Sequence, residues 1–337
     1  MDTLLLTRAD VARHLDLDEC IRAVEDAFRA HGEGRAMGPA SLGVPARDGG
    51  FHVKAAGLSL TRPYFAAKIN ANFPDNPARR SLPSIQGLIL LCDAESGYPL
   101  ALMDAIEITI ARTGAATAVA AKHLARPDSR VATICGCGNQ GAVQLRVLSR
   151  AFPLERVHAF DQDPDRARRF AEAMSRELGI AVEAVPDPGP SAARSDLCVT
   201  CTPSRLPFLE RRMISPGTFV AAVGADSPDK QELEPSLLAA STVVADVLDQ
   251  CAAFGEIHHA LAAGAITRDD VHAELAEIVT GRKPGRTRRD EITVFDSTGT
   301  ALQDVAAAAL VFERAVAEGT GIRLDFFAPP AAQRAPQ

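Results

Sequence analysis

Val131-Ala132-Thr133-Ile134-Cys135-Gly136-Cys137-Gly138-Asn139-Gln140-Gly141 runs from a short apolar stretch straight into a glycine-rich loop. A G-x-G-x-x-G pattern alone is a weak signal. Here it follows a strand-like run and opens a helix-like one, Gln140 to Ala151, which is the setting that dinucleotide binding requires. Gly136 permits the tight turn, Gly138 lets the backbone approach a pyrophosphate, and Gly141 lets helix and strand pack closely. The start of the helix offers unpaired N–H groups and the positive end of its dipole to phosphate oxygens. The next strand-like run, Arg156 to Phe160, leads into Asp161. An acid there, about 20 residues beyond the loop, accepts hydrogen bonds from ribose hydroxyls and repels a 2′-phosphate, favouring NAD over NADP. Asp163, just before Pro164, reads as a helix cap.

Outward from this loop the texture is regular. A helix over Asp165 to Leu178 follows, then short strands near Ala181 to Val185, Asp196 to Thr200, Thr218 to Val223 and Thr242 to Ala245, with Ile292 to Phe295 as a last one. Such alternation implies a parallel sheet covered on both faces. Upstream the pattern differs. Thr7 to Ala30 has helical spacing, with Asp16 and Asp18 placed to cap a second helix. Turn-separated runs at Phe51 to Ala56, Tyr64 to Ala71, Ile85 to Cys92 and Pro99 to Met103 predict an antiparallel or mixed sheet. A long Ala-rich helix over residues 104–125 follows it. The helix Ala301 to Glu318 has no strand expected after it and is free to return to the first sheet.

At 337 residues the chain has room for two domains. It is 47% hydrophobic but has no Trp and two Tyr, so Ala, Val, Leu and Ile must build the core. A net charge of -7 argues against nucleic acid or an anionic membrane as the main partner. No apolar run approaches the ~20 residues of a membrane span, and the first residues lack a basic, then apolar, leader. A cytoplasmic location is the expectation. Seven cysteines make an odd number; the pairs Cys135/Cys137 and Cys198/Cys201 end apolar runs and read as buried thiols rather than metal ligands. Glu256, His258 and His259 read as a solvated helix face, and Arg286 to Arg289 as a solvated loop. No metal site is expected.

Several segments then stand together in order: Ala67-Lys68-Ile69-Asn70, Ala111-Arg112-Thr113-Gly114-Ala115-Ala116, the glycine loop, Cys201-Thr202-Pro203-Ser204, Val223-Gly224-Ala225-Asp226-Ser227-Pro228-Asp229-Lys230-Gln231-Glu232-Leu233, and Phe295-Asp296-Ser297-Thr298-Gly299. On these the chain resembles the ornithine cyclodeaminase/mu-crystallin family, nearest in pattern to its archaeal-type alanine dehydrogenases. The resemblance implies an α/β homodimer: a Rossmann doubly wound parallel sheet over residues 121–298, inserted in an α+β substrate and dimerisation domain of residues 1–120 plus 299–337. It also implies hydride transfer at the α-carbon of a small amino acid, or reduction of the matching imine.

Position by position, the resemblance makes Lys68 a contact to the substrate carboxylate and reacting centre, Arg112 its clamp, and Asp226 the acid that relays protons at the α-nitrogen. Thr113 would lie beside cofactor phosphate. Asn139, Gln140, Asp161, Thr202, Val223 and Gly224 would touch cofactor, as would Ser84, where relatives often carry Thr, and Ser297 would close over the nicotinamide. The chemistry agrees: a guanidinium meets a planar carboxylate bidentately, and a carboxylate stabilises a developing iminium and takes its proton.

One departure bears on substrate. Ser41 stands where many relatives carry a basic residue, and Lys54 stands at a position usually occupied by Met. Strand alternation puts His52 and Lys54 on one face, so both are expected to contact substrate from the neighbouring strand. An extra cation opposes a second ammonium and suits a neutral or acidic side chain. Cyclodeamination of ornithine and low-turnover dinucleotide binding of the crystallin kind are the rival expectations. A metal or redox protein built on the cysteines is a third.

Overall fold

The computed structural model describes residues 2–327. The first half comprises β1 (Thr3–Leu6), α1 (Arg8–His14), α2 (Leu17–Gly32), β2 (Ala36–Ala46), β3 (Gly49–Ser59), β4 (Pro63–Asn72), α3 (Asn76–Arg80), β5 (Ile85–Asp93), β6 (Pro99–Asp104) and α4 (Ile106–Leu124). The second comprises β7 (Val131–Cys135), α5 (Asn139–Ala151), β8 (Arg156–Phe160), α6 (Pro164–Leu178), β9 (Ala181–Ala184), α7 (Pro188–Ala192), β10 (Leu197–Thr200), β11 (Phe219–Ala222), α8 (Pro235–Ala239), β12 (Thr242–Ala245), α9 (Leu248–Phe254), α10 (Glu256–Ala262), β13 (Ala273–Glu274), α11 (Leu275–Val279) and β14 (Thr293–Asp296). The chain then returns to the first half through α12 (Ala301–Glu318) and β15 (Ile322–Leu324).

The first sheet is mixed, in the order β15-β1-β6-β5-β4-β3-β2. Only β1 and β6 run parallel within it. In β3 and β4 the even-numbered residues, Lys54, Ala56, Leu58, Tyr64, Ala66 and Lys68, are buried where α12 packs on these strands. Register sets Lys54 directly opposite Lys68 and Ser41 directly opposite Lys54. The other face exposes Leu42, Val44, Phe51, Ile69, Leu88 and Leu90.

The second sheet is parallel throughout, in the order β13-β12-β14-β11-β10-β7-β8-β9. The chain leaves β7 toward β8 and β9, then crosses back to β10 on the other side, so the strand order reverses between β7 and β10. Open α/β sheets bind ligands at such a switch point, outside the carboxyl ends of the strands. Helix α4 joins the two halves by packing on both α2 and α5. Its small residues allow this. A Cβ at Gly114 would meet Val143 Cγ2 at 2.9 Å.

Two sequence expectations need correction, and one strand lies outside the predicted runs. A strand does follow the last helix: β15 pairs antiparallel with β1, Thr3 opposite Leu324. At three and four residues, these strands are too short for alternation to reveal. The Gly- and Pro-punctuated segment 36–46 is also a strand, permitted because it lies at a sheet edge where a missing N–H costs little. Arg286 is no solvated residue: its guanidinium donates to Leu124 O (2.7 Å), Glu291 O (2.6 Å) and Thr293 Oγ1 (3.0 Å), closing the C-terminus of α4. Arg288 and Arg289 are exposed.

Candidate active site

The glycine loop crosses the switch point. Gly136 has φ +106°, and a Cβ there would lie 2.8 Å from Cys201 O, so both its conformation and its neighbour require glycine. Nothing stands within 4 Å of where a Gly138 Cβ would point, and no side chain caps α5, which starts at Asn139. Gln140 Oε1 is buried without a partner. An open backbone face and an uncapped helix start, with its free N–H groups, fit a dinucleotide pyrophosphate. Asp161 ends the neighbouring strand; its two oxygens accept the Cys137 and Asp163 amides, each at 3.0 Å. Arg166 stands 3.6 Å from it.

On the other side of the crevice, the loops after β10 and β11 share one carboxylate. Buried Glu232 accepts the Thr202 amide (2.6 Å) and the Gly224 amide (2.9 Å). Glu256 in turn accepts the amides of Glu232 (2.7 Å) and Leu233 (3.1 Å). Burial raises both carboxyls, Glu256 well above the usual range, against the amide bonds that favour the charged forms. The expected solvated face over Glu256 is therefore wrong: a carboxylate was needed inside, to satisfy loop amides. His258 donates to Ala252 O (3.2 Å) and His259 to Lys230 O (2.8 Å), so the three side chains turn to three different partners. The cysteines at the strand ends are free and enclosed, and burial drives the Cys137 thiol up to about 12.

A cationic cluster occupies the α12 side of the first sheet. Lys54 donates to Thr298 O (3.0 Å) and Gly299 O (2.6 Å), in the turn ahead of α12. Lys68 donates to Asp304 Oδ1 (2.8 Å) and Thr109 Oγ1 (3.3 Å). Arg112 reaches the same Asp304 oxygen through Nε (3.1 Å) and Gln303 Oε1 through Nη1 (2.9 Å). All four charged groups are buried. Desolvation, with Arg112 and Lys54 beside it, brings Lys68 down to about 7 despite Asp304. Lys54 is lowered by burial and by Arg112. Burial opposes the Asp304 charge, but Lys68 and Arg112 outweigh it and hold the carboxyl below its usual range.

Asp226 stands at the rim with 53% of its side chain exposed, bonded to Lys230 at 2.6 Å. Partial desolvation works against its charge, but Lys230, Lys54 and His52 keep its carboxyl low. His52 is half-buried; burial lowers its imidazole most, with Lys54 and Lys230 adding to it against Asp226. His52, Lys54, Lys68, Arg112 and Asp226 thus lie within one electrostatic neighbourhood, on elements remote in sequence.

The remaining candidates are more dispersed. Val223 continues the sheet through its amide to Thr200 O (2.8 Å). Ser297 is buried after β14, its amide on Ala222 O (2.9 Å). The Thr113 hydroxyl donates to Thr109 O at 2.7 Å within its own helix, and Ser84 bonds Pro74 O within its own loop at 3.5 Å.

Sequence reasoning missed Gln303 and Asp304, and gave no role to Glu232, Lys230 or Asp246. Asp246 fixes the turn ahead of α12, accepting Gly299 N (2.7 Å) and Thr298 Oγ1 (3.1 Å). A signal existed for Asp304: Gln303-Asp304 interrupts an otherwise apolar stretch from Ala301 to Phe312, and a charge on a fully packed helix demands a partner.

Comparison with known proteins agrees with this architecture. Alanine dehydrogenase of Archaeoglobus fulgidus is 39% identical over 327 residues, 97% of this chain and 99% of that one. A solved archaeal alanine dehydrogenase dimer with bound NAD superposes with a TM-score of 0.91 at 39% identity, covering 97% of this chain and 100% of that one. The Δ1-pyrroline-2-carboxylate reductase of Thermococcus litoralis, solved with NADH and L-proline, gives 0.91 at 35% identity, covering 95% and 99%. A family model matches residues 1–319, and the chain belongs to the ornithine cyclodeaminase/mu-crystallin family.

Proposed function

We propose that this protein is an NAD-dependent oxidoreductase acting at the C–N bond of a small α-amino acid, or reducing the matching imine or ketimine. The observation that carries the reading is the buried group of Lys54, Lys68 and Arg112, in which Lys68 and Arg112 share the single carboxylate of Asp304 and Lys54 bonds only backbone carbonyls, in a chain that also builds a dinucleotide crevice. Such a group retains positive charge and needs an anion.

Arg112 and Lys68 hold the substrate carboxylate, and Lys54 adds a cation from the next strand with His52 beside it. Asp226, kept ionised by its basic neighbours, takes the proton lost from the α-nitrogen in oxidation and returns it in reduction. Bound NAD supplies the acceptor for the hydride leaving the α-carbon, and the resulting imine is released by water as a 2-oxo acid and ammonia. Gly136, Gly138, Asn139 and Gln140 receive the pyrophosphate, and Asp161 the ribose hydroxyls. Thr202, Val223, Gly224 and Ser297 border the nicotinamide end, while Thr113 and Ser84 contribute from the first domain.

On this reading residues 121–298 form the cofactor domain, and residues 1–120 with 299–337 the substrate and dimerisation domain. The exposed apolar row on the outer face of the first sheet supports a homodimer through that face. Seven free thiols support a cytoplasmic setting.

The test follows NAD(H) absorbance against a panel of amino acids, 2-oxo acids with ammonia or methylamine, and cyclic imines. Net NADH formation with a small neutral or acidic amino acid, or its consumption with an imine, is expected. Turnover of ornithine alone without net NADH would establish the cyclodeaminase reading, and no turnover with any member the low-turnover binding one.

A further inference from the structure

We propose that Asp304 is a positioning residue of the substrate-carboxylate site: one of its oxygens sets the Lys68 ammonium and the Arg112 guanidinium side by side, and its charge keeps Lys68 in the protonated, anion-binding form. The proposal rests on the functional reading above for the identity of the anion, but not for the behaviour of Lys68.

The geometry makes such a residue necessary. Antiparallel pairing sets Lys54 directly opposite Lys68, an arrangement that repels when both are charged. Arg112 enters the same space from α4 and shares a hydrogen-bond acceptor with Lys68. Buried like charges lose protons unless a counter-charge holds them. The other acids that face the cluster are already engaged. Asp226, on the loop after β11, is paired with Lys230, and Asp246, after β12, spends its oxygens on the turn at Thr298 and Gly299. Thr109 of α4 is neutral, and His52 of β3 is disfavoured as a cation by burial and by Lys54 and Lys230. Asp304 is therefore the acid in direct contact with Lys68.

Its own position suits the task. It lies in the first turn of α12, where the helix dipole stabilises a carboxylate. Both cations crowd onto Oδ1, while Oδ2 is buried without a partner. One negative charge beside three cations fixes their places and still leaves the group short of an anion, which a substrate carboxylate completes.

The test uses the full-length protein and its Asp304→Asn variant, which has the same shape without the charge. Reactivity of Lys68 toward acetic anhydride is measured from pH 5 to 10 by mass spectrometry of its peptide, with NADH affinity followed by fluorescence. In D304N the midpoint of Lys68 reactivity is expected to fall by about one unit or more, with NADH affinity within about twofold of the starting protein. The alkaline limb of kcat/KM for imine reduction should move down with it. Asp304→Glu, which keeps the charge, should restore the midpoint while raising KM.

If D304N does not fold, Asp304→Ser with the same readouts takes its place. A folded variant without the charge whose Lys68 midpoint stays put overturns the proposal. Because labelling needs no turnover, a shifted midpoint in a protein that reduces no imine would sustain the role of Asp304 and refute the oxidoreductase reading. An active enzyme with an unmoved midpoint would do the reverse.

Discussion

Gly299 shows how one residue can determine a site without touching substrate. Its φ is +75°, and the Arg112 guanidinium lies where a side chain at this position would go. Gly299→Ala therefore strains the backbone and pushes Arg112 off Asp304 and Gln303 together. We expect kcat/KM for the carboxylate substrate to fall by about ten- to a hundredfold, with NADH affinity unchanged when measured by fluorescence; an unaltered kcat/KM would show that Arg112 has room to move. Asp161 works through charge. It holds the glycine-loop amide of Cys137 and stands beside Arg166, so its carboxylate opposes a 2′-phosphate and masks the Arg166 guanidinium. Asp161→Asn removes both effects, and the ratio of NADP to NAD in kcat/KM should rise by about tenfold. A ratio that stays constant would locate cofactor choice elsewhere.

At the scale of elements, the second sheet was legible almost residue by residue. Strands β7, β8 and β12 match their expected bounds, because a parallel strand buried on both faces must be continuously apolar. Short strands and edge strands obey weaker rules, and β1, β2, β13 and β15 escaped notice. The inner and outer faces of the first sheet also differ in what sequence reveals. Lys54 and Lys68 were legible as a site only through family pattern; their polar-within-apolar spacing also fits a solvent-facing strand. The outer face exposes Ile69 at 52% and Leu88 at 49%, and register makes the two direct neighbours. An apolar row of this kind on a stable fold marks an interface. Ile69→Asp is expected to yield monomers by light scattering with an unchanged circular dichroism spectrum. A dimer that persists would move the interface to another surface.

For the molecule as a whole, the Rossmann half carries an acidic interior that shapes stability. Asp296 is pushed up to about 7, by burial first and then by Asp246, above the ordinary range of an unfolded Asp near 3.9. The sign follows directly. Between those values the folded state binds the extra proton, so the contribution of Asp296 to stability is full below about 4 and is lost as pH rises through about 7. Thermal unfolding should show Tm falling from pH 5 to pH 8, and Asp296→Asn, which keeps the acceptor for the Ile257 amide, should flatten that slope. An unchanged slope would mean that Glu232 and Glu256 carry the effect.

The same interior divides what each level of description decides. Composition, alternation and the glycine loop determine by themselves an α/β chain with a dinucleotide crevice, because those signals are local: a turn needing glycine, a helix start, a strand buried on both faces. The contacts that make the site specific are long-range. Asp304 lies 236 residues from Lys68 and 192 from Arg112, Glu232 bridges two loops, and Lys54 holds the turn 244 residues away. No spacing rule announces such pairs. Their partners are chosen by where a buried charge can find compensation, and that is known only once the sheets and α12 have come together.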